Sequence, residues 1–245
     1  MLMKNIVVIG GNTGVGLEIV KACLAKGYKV AVSCKEPVDS FPLPVTDSIL
    51  VRSFNLQDTD KCIGFIEEVV KAWQRIDGVV FYAGITPFSG LQDCTQEMFD
   101  SIIDINLKSL FFITQTVLKS LSSTGCSFVF FGTSHMESGH MDRAGYAISK
   151  GGMKILSENL ARRYAKQHVR SNIIVMGWTP TDGEIALRES LGQSREELVA
   201  EASAYIPMGR MLTVNDPVPA AMYFLSNEST MVTGSTLRVN GGEYI

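Results

Sequence analysis

Asn5-Ile6-Val7-Val8-Ile9-Gly10-Gly11-Asn12-Thr13-Gly14-Val15-Gly16 is the stretch on which the fold turns. Its first half is a β-branched run suited to a buried strand, and its second half is rich in glycine. Beyond it, Leu17 to Lys26 repeats apolar residues at helical spacing and stops at Gly27. Strand, glycine turn and helix in that order have a physical logic. Glycine lets the turn be tight and the backbone approach a ligand closely, while the free N–H groups and positive dipole end of the helix attract a pyrophosphate. The spacing is G-x-x-x-G-x-G, from Gly10 through Gly14 to Gly16, and differs from the more familiar G-x-G-x-x-G.

Working outward, Tyr28 to Ser33 reads as a second strand. In dinucleotide sites an acidic side chain at the end of this strand holds the adenosine ribose hydroxyls. Here the chain reads Ser33-Cys34-Lys35, and a cation in that place favours a 2′-phosphate, hence NADP(H) over NAD(H). Glu36 follows, so a carboxylate is also within reach. Pro37, Pro42 and Pro44 exclude a crossover helix between Lys35 and Asp47. Further strands are expected at Ser48–Ser53, Gly78–Tyr82, Cys126–Phe131, Ser171–Val175 and Ser235–Val239. Helices are expected over Asp58–Trp73, Thr95–Leu121 (one long or broken helix carrying Asn106), Tyr146–Lys166 and Val218–Leu225. On the Asp58–Trp73 helix, Cys62, Phe65, Ile66, Val69 and Trp73 share one face.

This alternation predicts an α/β chain of one Rossmann-type, doubly wound domain over residues 1–245, with a mainly parallel seven-stranded sheet and helices on both faces. Chemistry in such sheets sits at the carboxyl ends of the strands. Gly10 to Gly16, Cys34, Ala83-Gly84, Thr133-Ser134 and Gly177 to Thr181 therefore share one rim. The polar helical stretch after Gly177, residues 182–206, is expected to be a substrate lid that orders when cofactor and substrate bind.

Composition excludes several other classes. A formal net charge of -3 with scattered Lys and Arg offers no stripe for nucleic acid. No secretory leader and no apolar stretch near membrane-spanning length is apparent, so a soluble, cytoplasmic protein without membrane partners is expected. The five cysteines are odd in number, widely spaced and free of C-x-x-C, which argues for reduced thiols over disulfides or zinc.

Tyr146 and Lys150 stand four residues apart on a predicted helix that opens onto the rim. That spacing puts phenol and ammonium on one face. A phenol beside a fixed cation is a usable acid or base near neutrality. Such pairs are common on solvated helices, and it is the neighbouring nucleotide site that gives this one meaning.

With these features assembled, the chain resembles the short-chain dehydrogenase/reductase family over essentially its whole length, most closely its 3-oxoacyl carrier-protein reductase-like branch. The residues that carry the resemblance are Gly10-x-x-x-Gly14-x-Gly16, Ala83-Gly84, Asn106, Tyr146-x-x-x-Lys150, Gly177-Trp178-Thr179-Pro180-Thr181 and the tail Val232 to Gly242. The resemblance implies Tyr146 as acid/base, Lys150 as its activator and a ribose ligand, and Asn106 as holder of a relay water. It also implies a hydroxyl that orients the substrate carbonyl. Counting back thirteen residues from Tyr146 reaches Thr133, with Ser134 as the alternative. Cofactor contacts are implied at Gly10, Asn12, Thr13, Gly14, Val15, Gly16, Cys34, Lys35, Asn55, Leu56, Ala83, Gly84, Gly177, Thr179 and Thr181, besides Tyr146 and Lys150. The chain departs from the family pattern at Ile9, Phe81-Tyr82, Asn55 and Met176. Tyr82 is the departure that most needs explaining, because a ring stands where a small polar side chain is usual.

The resemblance implies hydride transfer between a nicotinamide and a carbonyl or secondary alcohol. The substrate is a small molecule or a carrier-bound acyl group, and the chain is a homo-oligomer, tetramer or dimer. Two alternatives are a sugar or polyol dehydrogenase using NAD, and a silent nucleotide-binding scaffold that lost turnover. His135 and His140 lie in an expected loop and read as pocket wall together with Ser134 and Trp178, with no metal expected. Arg143 and Arg188 could meet an acidic substrate but read as solvated. His168 reads as a helix-end residue, and Ile206 to Met211 as packing.

Overall fold

The run Asn5–Ile9 forms β1, and every residue in it is buried. The computed structural model describes residues 3–180 and 182–243. The other strands are β2 (Lys29–Cys34), β3 (Ile49–Ser53), β4 (Gly78–Phe81), β5 (Cys126–Thr133), β6 (Val169–Met176) and β7 (Thr236–Val239). They form one sheet in the order β3-β2-β1-β4-β5-β6-β7, and each pairing is parallel. The chain steps outward from β1 to β3, then returns to lay β4 on the other side of β1. That reversal opens a crevice beyond the carboxyl ends of β1 and β4.

Alternation along the strands sorts side chains between two cores. Val7, Ile9, Val79, Phe81, Phe128, Phe130, Ile173 and Val175 face one layer. Ile6, Val8, Val80, Val129, Phe131 and Ile174 face the other. Both faces are covered, which is why the strands read as continuous apolar runs. The first layer is roofed by α2 (Thr59–Trp73), α4 (Ser109–Lys119) and α6 (Ala144–Arg163), through Phe65, Ile113 and Met153 among others. The second is roofed by α1 (Gly14–Ala25) and α9 (Val218–Leu225), through Ile19, Val20 and Phe224. Burying each such side chain contributes about 1.5–3 kcal/mol. The face predicted for α2 is the buried one, with Trp73 at its half-buried edge.

The stretch expected as a long or broken helix is continuous. It comprises α3 (Gln96–Ile103), a π turn at Asp104–Lys108, and α4. By length and composition Gln96–Lys119 could cross a membrane, which corrects the expectation that no such stretch exists. In the fold it packs along α2 and α6, burying Ile102, Leu110, Ile113 and Val117, and its apolar character is that of a layer helix. Other boundaries also moved. β5 extends past Phe131 to Thr133, because its ladder with β6 continues to Met176. The segment after it forms a short helix, α5 (His135–Ser138), and not a loop. The insertion folds as α7 (Asp182–Ser190) and α8 (Arg195–Tyr205), the latter with a capping box between Ser194 and Glu197.

Candidate active site

At the end of β1 the backbone is packed closely enough to demand glycine. A Cβ on Gly10 would stand 2.8 Å from that of Ala83, and one on Gly16 would stand 2.0 Å from the Gly10 carbonyl oxygen. The start of α1 is open as well. Thr13 makes no side-chain cap bond and the first turn carries no acidic residue, so the N–H groups and dipole there remain suited to an anion. This cradle fits a dinucleotide pyrophosphate. Gly10, Asn12, Thr13 and Gly14 line the cleft, whereas the Val15 side chain is buried in the core beneath it.

Further along the rim, Cys34 is buried at the end of β2, its Sγ 3.3 Å from the Glu36 carbonyl, and burial pushes the thiol pKa up. Lys35 is exposed at the cleft edge. Glu36 reaches back across the opening, where its Oε2 accepts a 2.7 Å bond from Asn12 Nδ2. Asn55 accepts from the Gln57 N–H at 3.1 Å and lines the cleft beside Leu56. Tyr82 finds its space by meeting Phe131 edge-on, with centroids 5.4 Å apart and planes at 89°. The added Cβ at Gly16 would also come within 3.0 Å of the Tyr82 ring, so this ring packs under the glycine turn.

Beyond β4 and β5 lies a polar cluster on helices. The π turn carries Asn106, fully buried, whose Oδ1 accepts from the Ile85 N–H at 2.8 Å. Its Nδ2 donates to the Ile85 carbonyl at 2.9 Å and to Ser149 Oγ at 3.1 Å. Ser149 in turn donates to the Tyr146 carbonyl at 2.7 Å. Lys150 Nζ donates to the Phe131 carbonyl at 2.7 Å and lies 5.8 Å from the Tyr146 ring centroid. Burial lowers the Lys150 pKa to about 8. Tyr146 itself is half-buried in the first turn of α6. Thr133 ends β5, and its Oγ1 accepts from the His135 N–H at 3.4 Å. Ser134 follows as the N-cap of α5, and both line the cleft.

The far wall carries the histidines. His135 and His140 meet with ring centroids 4.3 Å apart, and His135 lies 6.5 Å from Tyr146. Burial, His140 and Arg143 lower the His135 pKa to about 4. His140 Nδ1 accepts the Asp142 N–H at 3.1 Å, which places the neutral ring's proton on Nε2. Arg143 and Arg188 are not solvated as expected. Arg143 Cζ lies 4.2 Å from the Phe88 ring centroid and Arg188 Cζ lies 4.9 Å from that of Trp178. Trp178 packs on Leu198, Ala202, Ile206 and Met211, while Met208, expected to pack with them, is 79% exposed. The Trp178 N–H donates to Glu243 at 2.9 Å, and Thr179 is buried beside Gly177. Thr181 lies outside the described residues.

Together these walls enclose a cleft of about 1120 Å³, larger than a single drug-sized ligand requires. Sequence reasoning missed Ser149, Phe88, Thr86 and Glu243. Ser149 had a signal, since it is three residues after Tyr146 on the same helix. The others come from loops whose paths no pattern reveals.

A doubly wound parallel sheet with a glycine cradle at its switch point and a tyrosine–lysine pair beside it is the architecture of a nicotinamide-dependent oxidoreductase. The family profile described as enoyl-(acyl carrier protein) reductase matches residues 9–243. The acetoacetyl-CoA reductase of Acinetobacter sp. (strain RA3849) is 30% identical, covering 99% of this chain and 98% of that protein. The 3-oxoacyl acyl-carrier-protein reductase FabG of Salmonella typhimurium is 26% identical, covering 99% and 98%. Among solved structures, an actinorhodin polyketide ketoreductase variant with NADPH shares the fold at a TM-score of 0.91, with 22% identity and coverage of 99% and 97%. The chain belongs to the short-chain dehydrogenase/reductase family, in its 3-oxoacyl acyl-carrier-protein reductase-like branch. Enzymes of this family act on a CH–OH/C=O pair.

Proposed function

We propose that the protein is an NADP(H)-preferring carbonyl reductase, reversible on the corresponding secondary alcohol, with Tyr146 as acid and base. The observation that carries this reading is the place of Lys150. Its ammonium is buried and tied to the Phe131 carbonyl, close under the Tyr146 ring and on the same cleft as the glycine cradle. When bound, the nicotinamide supplies or accepts the hydride. Tyr146 gives its hydroxyl proton to the carbonyl oxygen as charge develops there, and takes it back in the oxidative direction. Lys150 stabilises the phenolate left behind and holds the cofactor ribose. A hydroxyl on the β5 end, Thr133 with Ser134 beside it, aims the carbonyl. Asn106 anchors Ile85 and Ser149, and so keeps the polar floor open for a relay water.

Lys35 at the rim supports the preference for a 2′-phosphate, and the Glu36 carboxylate is engaged by Asn12 on the other side. The similar proteins are named as reductases of acetoacetyl-CoA and of 3-oxoacyl acyl-carrier-protein, which supports reduction as the direction. Residues 182–206 serve as a substrate lid, with α8 packed on Trp178. Phe111, Ile148 and Ile155, exposed on α4 and α6, suit contact between copies in a homo-oligomer.

The test is NADPH oxidation with a panel of ketones and 3-oxoacyl thioesters. Tyr146→Phe should lose at least about 100-fold in rate while NADPH still raises the melting temperature. Undiminished turnover by that variant sinks the assignment.

A further inference from the structure

Two guanidinium groups lie against one aromatic ring on the wall of the cleft. Arg143 Cζ is 4.2 Å and Arg188 Cζ 5.6 Å from the Phe88 centroid, and Arg188 also stacks on Trp178. The first half of this arrangement is fixed by backbone. The Ser89 N–H donates to the Asp142 carbonyl at 2.7 Å, and the Ala144 N–H to the Ser89 carbonyl at 3.3 Å. Arg143 Nη1 adds a 3.3 Å bond to Thr86 Oγ1. Phe88 and Arg143 therefore share one rigid frame, and Arg188 is delivered to it from α7.

Besides burial, arginine charge acts on both histidines of this wall. Arg143 opposes protonation of both His135 and His140, and Arg188 opposes that of His140. Asp142 acts in the other direction on His140 but ranks below Arg143. Glu243, in the same cleft, holds the Trp178 N–H, and burial pushes its pKa up toward the neutral form. Glu201 at the rim accepts from Gln193 at 2.5 Å. The planar fork of arginine matches a carboxylate better than it matches a neutral ketone.

We propose that the substrate is an oxo acid, or the matching hydroxy acid, whose carboxylate is received by Arg143 and Arg188 beside Phe88 while its carbonyl faces Tyr146. This deepens the carbonyl-reductase reading and rests on it. Arg188 reaches this wall from the insertion, so an acidic substrate would also contact α7.

The experiment compares acetoacetate, levulinate and 5-oxohexanoate with their methyl esters as substrates for NADPH oxidation. A second readout needs no turnover. It titrates the same compounds against the emission of Trp178 in the cofactor-loaded enzyme, with Trp73 on α2 as constant background. For at least one chain length the acid should exceed its ester about tenfold or more in kcat/KM and in binding. Arg188→Met and Arg143→Met should bring that ratio toward one, and Arg188→Lys should restore part of it. Equal acid and ester values, or a ratio that survives both methionine variants, overturn the proposal and leave the reductase reading intact. Acid-selective titration abolished by Arg188→Met, with no turnover of any carbonyl, upholds the anion site and overturns the reductase reading. Absence of both signals overturns both.

Discussion

Asn106 holds the Ile85 backbone at both its polar groups, accepting its N–H at 2.8 Å and donating to its carbonyl at 2.9 Å. The side chain thus does for the segment after β4 what a neighbouring strand would do. It does so from the π turn, where it is fully buried.

Removing that amide strands buried partners, so Asn106→Ala should cost about 2–4 kcal/mol in urea unfolding. Ser149→Ala removes one acceptor of that amide and the bond to the Tyr146 carbonyl but leaves the Ile85 bonds in place, and its cost should be nearer about 1 kcal/mol. Similar losses in the two variants would show that the Ile85 bonds are not what Asn106 contributes.

Lys150 predicts opposite pH trends for stability and activity. Burial lowers its pKa from 10.5 to about 8, so between these values the unfolded chain binds more protons and stability rises with pH. Below about pH 8 the lysine is charged in both states and the burial penalty is fully present. In the proposed mechanism reduction needs the ammonium, and it should fall over the same rise. Unfolding midpoints at intervals from pH 7.5 to 10.5 should show a steeper increase for the natural chain than for Lys150→Met. Parallel curves would refute the shift.

Much of this was legible because parallel strands buried on both faces leave unbroken runs such as Asn5–Ile9, and because glycine at 10 and 16 is enforced by backbone contact. The Tyr146–Lys150 spacing was legible for the same local reason. The π turn was not, since one extra residue in a helical turn leaves no mark on composition or period. Nor was the fate of Arg143. Whether an arginine is solvated or stacked depends on Phe88, fifty-five positions earlier in the chain and brought near by the Ser89–Asp142 bond. Likewise Tyr82 looked too large for its place until Phe131 supplied an edge to pack on.

Cofactor choice should respond to Lys35. It is exposed, so Lys35→Ala is expected to leave folding within about 0.5 kcal/mol while reducing the NADPH over NADH preference in kcat/KM about tenfold, the worth of one charge-assisted contact to a phosphate. Steady-state kinetics with both nucleotides decides it. An unchanged ratio would show that Lys35 does not set the preference.

Gly16, in the first turn of α1, and Gly27, just past its end, should fail differently. At Gly27 φ is +74° but an added Cβ meets nothing within 4 Å, so Gly27→Ala costs only backbone strain, about 1–2 kcal/mol, and NADPH affinity stays as it was. At Gly16 the Cβ would lie 2.0 Å from the Gly10 carbonyl oxygen and 3.0 Å from the Tyr82 ring. Relieving the clash with the Gly10 carbonyl moves the turn whose N–H groups would face a bound pyrophosphate. Gly16→Ala should therefore lose about 1–3 kcal/mol of stability and, beyond that, most of the NADPH-induced rise in melting temperature. A variant equally destabilised but still fully shifted by NADPH would mean that the close approach at Gly16 serves packing and not nucleotide binding.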